Sequence, residues 1–90
     1  MATPRTQARH ARPAGDVWNL RNLTVLHNSI ALTIGRLYAD ALAIEVLRLY
    51  APDAPRTRDY REALRALAAL PTDVRTRAAL CMAVTARDLP

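Results

Sequence analysis

The side chains that could support catalysis are few in this sequence, and their spacing does not bring them together. The only serine, Ser29, lies two residues after His27, and residues two apart point to different sides of a helix. Asp40 and Glu45 are five residues apart, too far round a helix to act on one reacting atom. We therefore expect no enzyme activity, and we interpret His27 as a satisfied polar residue at a helix junction.

Ligands for metals and cofactors are equally sparse. The histidines, His10 and His27, and the single cysteine, Cys81, have no spacing typical of a zinc site. The two glycines, Gly15 and Gly35, are too far apart for a phosphate-binding loop. We predict no metal, no cofactor and no small-molecule substrate. A single cysteine also excludes an intramolecular disulfide, which favours a reducing compartment, and we expect a cytoplasmic location.

The basic side chains are unevenly distributed along the chain. All 13 are arginine, and residues 1–15 hold three of them without any acidic residue. This segment has almost nothing apolar to bury, so we predict a disordered arginine-bearing arm over residues 1–15. Residues 16–90 carry a net charge of only +2 and are predicted to form a single helical domain.

Further arginines recur at helical spacing. Arg58, Arg61 and Arg65 follow one another at i, i+3 and i+7, and Arg75 and Arg77 begin the next predicted helix. The arginine fork pairs bidentately with phosphate and with carboxylate, although a solvated helix face would have the same pattern. The candidate contacts to phosphate or to an acidic surface are Arg5, Arg9, Arg12, Arg58, Arg61, Arg65, Arg75 and Arg77.

A helical period of apolar residues runs from Trp18 to Tyr50. One helix over this span would be about 50 Å long, more than a domain of this size accommodates, so we predict a break. We place it at residues 27–29, with Gly35 as the second candidate. A hairpin of two short strands over residues 23–34 is the alternative.

The second half of the chain is divided by prolines. Pro52 and Pro55 end the long apolar unit, and Asp59 followed by Glu62 has the form of a capping box. Pro71 ends that helix, and Thr72 is expected to cap the last one. The sequence predicts an all-α bundle of three or four helices, at about 17–27, 29–51, 58–70 and 73–87. The longest uncharged stretch has 14 residues, short of the ~18–20 that span a bilayer, so we expect no membrane segment.

The apolar surface of residues 18–50 exceeds what a small domain can hide. We therefore interpret the chain as a helical protein–protein interaction module, either self-associating or docking on a larger assembly. A nucleic-acid-binding protein or regulator that uses the arm and the arginines is the alternative. The residues expected at the protein interface are Trp18, Leu26, Ile30, Ile34, Leu37 and Tyr38.

Overall fold

A computed structural model describes residues 17–88, which form four α-helices and no strand. The helices are α1 (Leu20–Ile34), α2 (Arg36–Tyr50), α3 (Tyr60–Ala68) and α4 (Thr72–Asp88). The all-α prediction is confirmed, and the hairpin over residues 23–34 is wrong because α1 runs through it. The predicted disordered arm, with Arg5, Arg9 and Arg12, lies outside the described residues.

The first helix begins later than the predicted residue 17. Asn19 is its N-cap, and the Asn19 side chain accepts a hydrogen bond of 2.9 Å from the backbone N–H of Asn22. The Asn22 side-chain amide donates in turn to the carbonyl of Val17. Two asparagines three residues apart therefore fix the start of α1, a pairing that the apolar pattern alone did not reveal.

The break between the first two helices lies at Gly35, not at residues 27–29 as predicted. Gly35 has φ 106° and ψ 148°, a backbone conformation that only glycine adopts readily. Its N–H still donates to the carbonyl of Ala31 at 2.9 Å, which closes the last turn of α1. Asn28 and Ser29 remain helical because their side chains lie on an exposed face and do not compete for the backbone.

Caps also define the short third helix. Asp59 is the N-cap of α3 and accepts a 2.9 Å hydrogen bond from the N–H of Arg61. Glu62 does not reach back to the Asp59 backbone as a capping box requires. Instead the Thr57 hydroxyl, which donates to Glu62 at 2.7 Å, accepts from the Asp59 N–H at 3.0 Å. The last helix begins at Thr72 itself, so Thr72 is its first helical residue rather than its cap.

All four helices contribute to one core. α1 buries Leu23, His27 and Ile30, which recur at i, i+4 and i+7. Five of the twelve buried apolar residues are alanines, so the helices approach closely while each contact buries little area. The remaining buried residues are Ala39, Ala43, Val46 and Leu47 of α2, Ala63, Leu64 and Leu67 of α3, and Ala78, Ala79 and Met82 of α4.

Candidate functional site

The one buried polar side chain in the described core is His27, which is 1% exposed. Its Nε2 lies 2.5 Å from Oδ1 of Asp40, and its Nδ1 lies 3.4 Å from Oδ1 of the neighbouring Asn28. The imidazole stacks on the ring of Tyr60 with the centroids 4.3 Å apart and the planes 9° apart. His27 of α1, Asp40 of α2 and Tyr60 of α3 therefore meet at one point, which we call the polar junction.

Two arginines close the polar junction from the solvent side. The guanidinium of Arg36 lies 5.5 Å from the centroid of the Tyr60 ring, and that of Arg61 lies 5.6 Å from it. Arg36 Nε is also 3.9 Å from Oδ2 of Asp40, and Arg61 Nε is 3.8 Å from Oδ1 of Asp59. Both cations offset the negative charge of a nearby carboxylate.

A histidine–aspartate pair can act as a general base where a reacting group reaches the free ring nitrogen. His27 is enclosed, and each of its ring nitrogens already faces a side-chain oxygen. Among residues 17–88, no three side chains of His, Cys, Asp or Glu come close enough together to hold a metal ion. The polar junction is built to join three helices. The prediction that His27 is a satisfied polar residue agrees with this geometry, although His27 lies in the middle of α1 and not at its end.

The predicted arginine stripe is distributed over two clefts. Arg58 precedes α3 and lines a cleft beside α2, whereas Arg61 and Arg65 line one groove between α1 and α3. Arg61 packs against Tyr60. Arg75 donates from Nη1 to the carbonyl of Ala68 at 2.7 Å, so it closes the end of α3 rather than facing solvent.

The predicted interface residues divide into three groups. Ile30 is buried, and Trp18 packs half-buried against the core. Leu37 and Tyr38 are exposed on the outer side of α2. The third group, Leu26 and Ile34, lines a groove of about 680 Å³ between α1 and α4. The other residues of this groove are Ser29, Ile30, Thr33, Ala83, Ala86 and Arg87.

The sequence pattern missed the most exposed apolar side chain of α1. Leu32 is 90% exposed and Val25 is 55% exposed. The sequence pattern singled out neither residue as exposed, because the apolar surface of α1 is broader than one stripe. We call the surface formed by Val25, Asn28, Ser29, Leu32 and Thr33 the α1 face; all five residues are exposed.

One further contact between titratable groups lies beside the C-terminal end of α2. Tyr50 and Cys81 line the same shallow groove, and the Cys81 thiol raises the pKa of the Tyr50 phenol through a hydrogen bond and through electrostatic repulsion. The thiol also lies 4.0 Å from the Thr85 hydroxyl. Cys81 is half-buried between these groups.

No helix within residues 17–88 combines the length and the apolar character needed to cross a bilayer. Comparison of the chain with protein-family models, with curated proteins and with solved structures finds no match, so its function has to be inferred from the residues themselves.

Proposed function

We propose that this chain is a protein-interaction module that self-associates through the α1 face. The observation that carries the proposal is the exposure of Leu32 and Val25 on a stretch of α1 without charged side chains. Residues 22–35 contain no acidic or basic side chain apart from the buried His27, whereas residues 17–88 otherwise hold ten arginines and seven acids. The exposed Arg21, one turn before Val25, marks the N-terminal limit of this stretch. Water-facing helix surfaces are normally charged, so two exposed apolar side chains among uncharged neighbours favour a protein contact.

The absence of charge also favours a second copy as the partner. A two-fold interface places the same surface patch of each protomer against itself, so any net charge on the patch repels its own image. The five residues of the α1 face carry no charge, and the nearest cations, Arg21 and Arg87, lie at its edges. Its hydroxyls are partly satisfied within the helix, since the Thr33 Oγ1 donates to the carbonyl of Ser29 at 2.9 Å. Burying the face therefore leaves few polar groups without a partner.

The shape beside the α1 face supports the same partner. Leu32 protrudes from α1, and the groove between α1 and α4 adjoins the α1 face through Ser29 and Thr33. Ala83, Ala86 and Arg87 form the α4 wall of this groove, and the two small alanines leave room for an inserted side chain. Leu32 of one protomer can enter the groove of the other, and the two-fold axis repeats that contact in reverse.

The test is the oligomeric state of the chain and of two matched variants. Sedimentation equilibrium from about 1 μM to about 1 mM covers the affinities of modest interfaces. We expect dimers in the wild type and monomers in Leu32→Glu. Leu49→Glu is the control because Leu49 is also exposed, at 69%, but lies on α2. Circular dichroism checks that all three remain helical. A wild type that stays monomeric, or a Leu49→Glu variant that dissociates as readily as Leu32→Glu, would overturn the proposal.

A further inference from the structure

A second concave surface lies on α2, where the chain turns towards α3. Its main cleft has a volume of about 670 Å³, within the range of ~300–1,000 Å³ that is usual for small-ligand sites. A smaller recess of about 200 Å³ shares several of its walls and reaches under the α2–α3 loop. The main cleft is lined by Ile44, Arg48, Arg56, Thr57 and Arg58, and the recess adds Leu47, Ala51, Pro52, Ala54 and Pro55.

The rim of this cleft carries an excess of positive charge. Arg48 is paired with Glu45 at 3.1 Å, but both side chains are more than half exposed, which makes the pair weak. Arg56 and Arg58 form no ion pair with any residue in the range 17–88. Three guanidinium groups, the Glu45 carboxylate and the carboxylate of Asp53 in the adjoining loop leave a local charge of +1.

The acids that follow the cleft are engaged elsewhere. Glu62 accepts the hydrogen bond from the Thr57 hydroxyl, and Asp59 caps α3 and lies near Arg61. Neither is paired with Arg56 or Arg58, although both lie within a few residues of them in the chain. The two arginines therefore keep their donors available for an anion.

The loop that carries these arginines is fixed in place. Pro52 and Pro55 restrict its backbone, and the Ala54 N–H donates to the carbonyl of Ala51 at 2.9 Å. The Thr57 hydroxyl bridges the Asp59 N–H and the Glu62 carboxylate. Because the loop is already ordered, binding an anion costs less conformational entropy than ordering a flexible loop would.

We propose that this cleft binds a phosphate monoester attached to an apolar group. A monoester carries a charge of about −1.5 to −2 at neutral pH, and the unpaired Arg56 and Arg58 offer it two positive charges. Its oxygens can accept the paired donors of Arg56 and Arg58, and Arg48 completes the cationic rim. The apolar group enters the recess beneath, which is walled by Leu47 and by the alanines and prolines of the loop. This site is independent of the α1 face.

The experiment is an NMR titration of backbone amides with three probes. Phenyl phosphate combines a monoester with an apolar ring, inorganic phosphate lacks the ring, and dimethyl phosphate is a diester with a single charge. We expect phenyl phosphate to shift amides of residues 44–58 at the lowest concentration. Inorganic phosphate should bind there more weakly because it leaves the recess empty. Dimethyl phosphate should be the weakest because it offers half the charge.

Three variants locate the site. Arg56→Gln and Arg58→Gln should each weaken phenyl phosphate binding about tenfold, as expected for loss of a charge-assisted hydrogen bond. Arg65→Gln is the matched control, because Arg65 is also exposed and forms no ion pair within residues 17–88. Equal weakening by Arg65→Gln, or shifts spread over all arginine-bearing helices, would show diffuse charge attraction and overturn the proposal. Equal binding of dimethyl phosphate would point instead to the diester backbone of a nucleic acid and would also overturn it.

Discussion

Removal of the Asp40 carboxylate tests whether the polar junction holds the helices together. Asp40→Ala leaves Nε2 of His27 without an acceptor at a position that is 1% exposed. An unsatisfied buried polar group costs about 1–3 kcal/mol, and loss of one partner from a fully buried charged pair costs about 3–5 kcal/mol. Because Asp40 is 25% exposed, water reaches part of the gap, and we expect a loss of about 2–3 kcal/mol.

This loss is large for a domain of this size. A 90-residue chain has a free energy of unfolding of about 5–13 kcal/mol, and each kcal/mol corresponds to about 4–8 °C in Tm. Urea unfolding followed by circular dichroism measures the change directly, and the slope with denaturant should stay constant if the fold is retained. We expect Asp40→Ala to lower the midpoint without changing that slope.

Glu45→Ala is the matched control, since Glu45 is the other acid of α2. Its ion pair with Arg48 joins two exposed side chains, so its removal should cost about 0.5 kcal/mol or less. Asp40→Ala gains more helix propensity than Glu45→Ala, so the comparison understates the loss at the polar junction. A double variant distinguishes loss of the carboxylate from the cost of an unpaired buried histidine. Adding His27→Leu to Asp40→Ala removes the buried polar side chain and should recover most of the lost free energy of unfolding. Equal effects of Asp40→Ala and Glu45→Ala would refute the reasoning.

The remaining predictions concern Gly35, the two arginines Arg75 and Arg77, and the contact of Tyr50 with Cys81. Gly35→Ala should cost about 1–3 kcal/mol in urea unfolding, because φ 106° strains any side chain although no atom lies near the added methyl. Arg75→Ala should cost about 1 kcal/mol through loss of its backbone contact, whereas Arg77→Ala, which removes an exposed pair with Asp73, should cost about 0.5 kcal/mol or less. The raised pKa of Tyr50 means that the folded chain favours the neutral phenol. The contribution of this phenol to stability is therefore complete below the ordinary tyrosine pKa of about 10 and is lost as the pH rises through the higher pKa of the folded chain. Ultraviolet titration should show that pKa fall towards 10 in Cys81→Ala, and an unchanged titration would contradict the assignment.

The helix content was predictable from the sequence because the apolar period and the prolines are local features. The position of the first break was not. Asn28 and Ser29 are frequent cap residues, so the pattern favoured a break beside them. Their side chains face solvent in an uninterrupted helix, and the break falls where Gly35 alone can adopt the required backbone conformation. Ranking glycine above cap residues as a sign of a helix break would have placed the break at Gly35, the second candidate.

The polar junction could not have been derived from local pattern. His27 and Asp40 are 13 residues apart, and Tyr60 is a further 20 residues along the chain. Their contact depends on how three helices pack, which no spacing within one helix encodes. The exposed position of Leu32 was missed for a related reason, because a helix that is apolar on most sides does not indicate which side faces the core.

The polar junction and the α1 face both follow from the orientation of α1 about its own axis. A helix with leucines and isoleucines on most of its circumference could bury several different sides with similar hydrophobic gain. Only the observed orientation of α1 about its own axis places His27 against Asp40 and Tyr60. A different orientation would either bury His27 without a hydrogen-bond partner or expose it and lose its contact with Asp40. The polar contact therefore selects which side of α1 faces inward. The same orientation turns Val25 and Leu32 outward, so the residue that fixes the packing of the helix also determines which apolar side chains of α1 stay exposed.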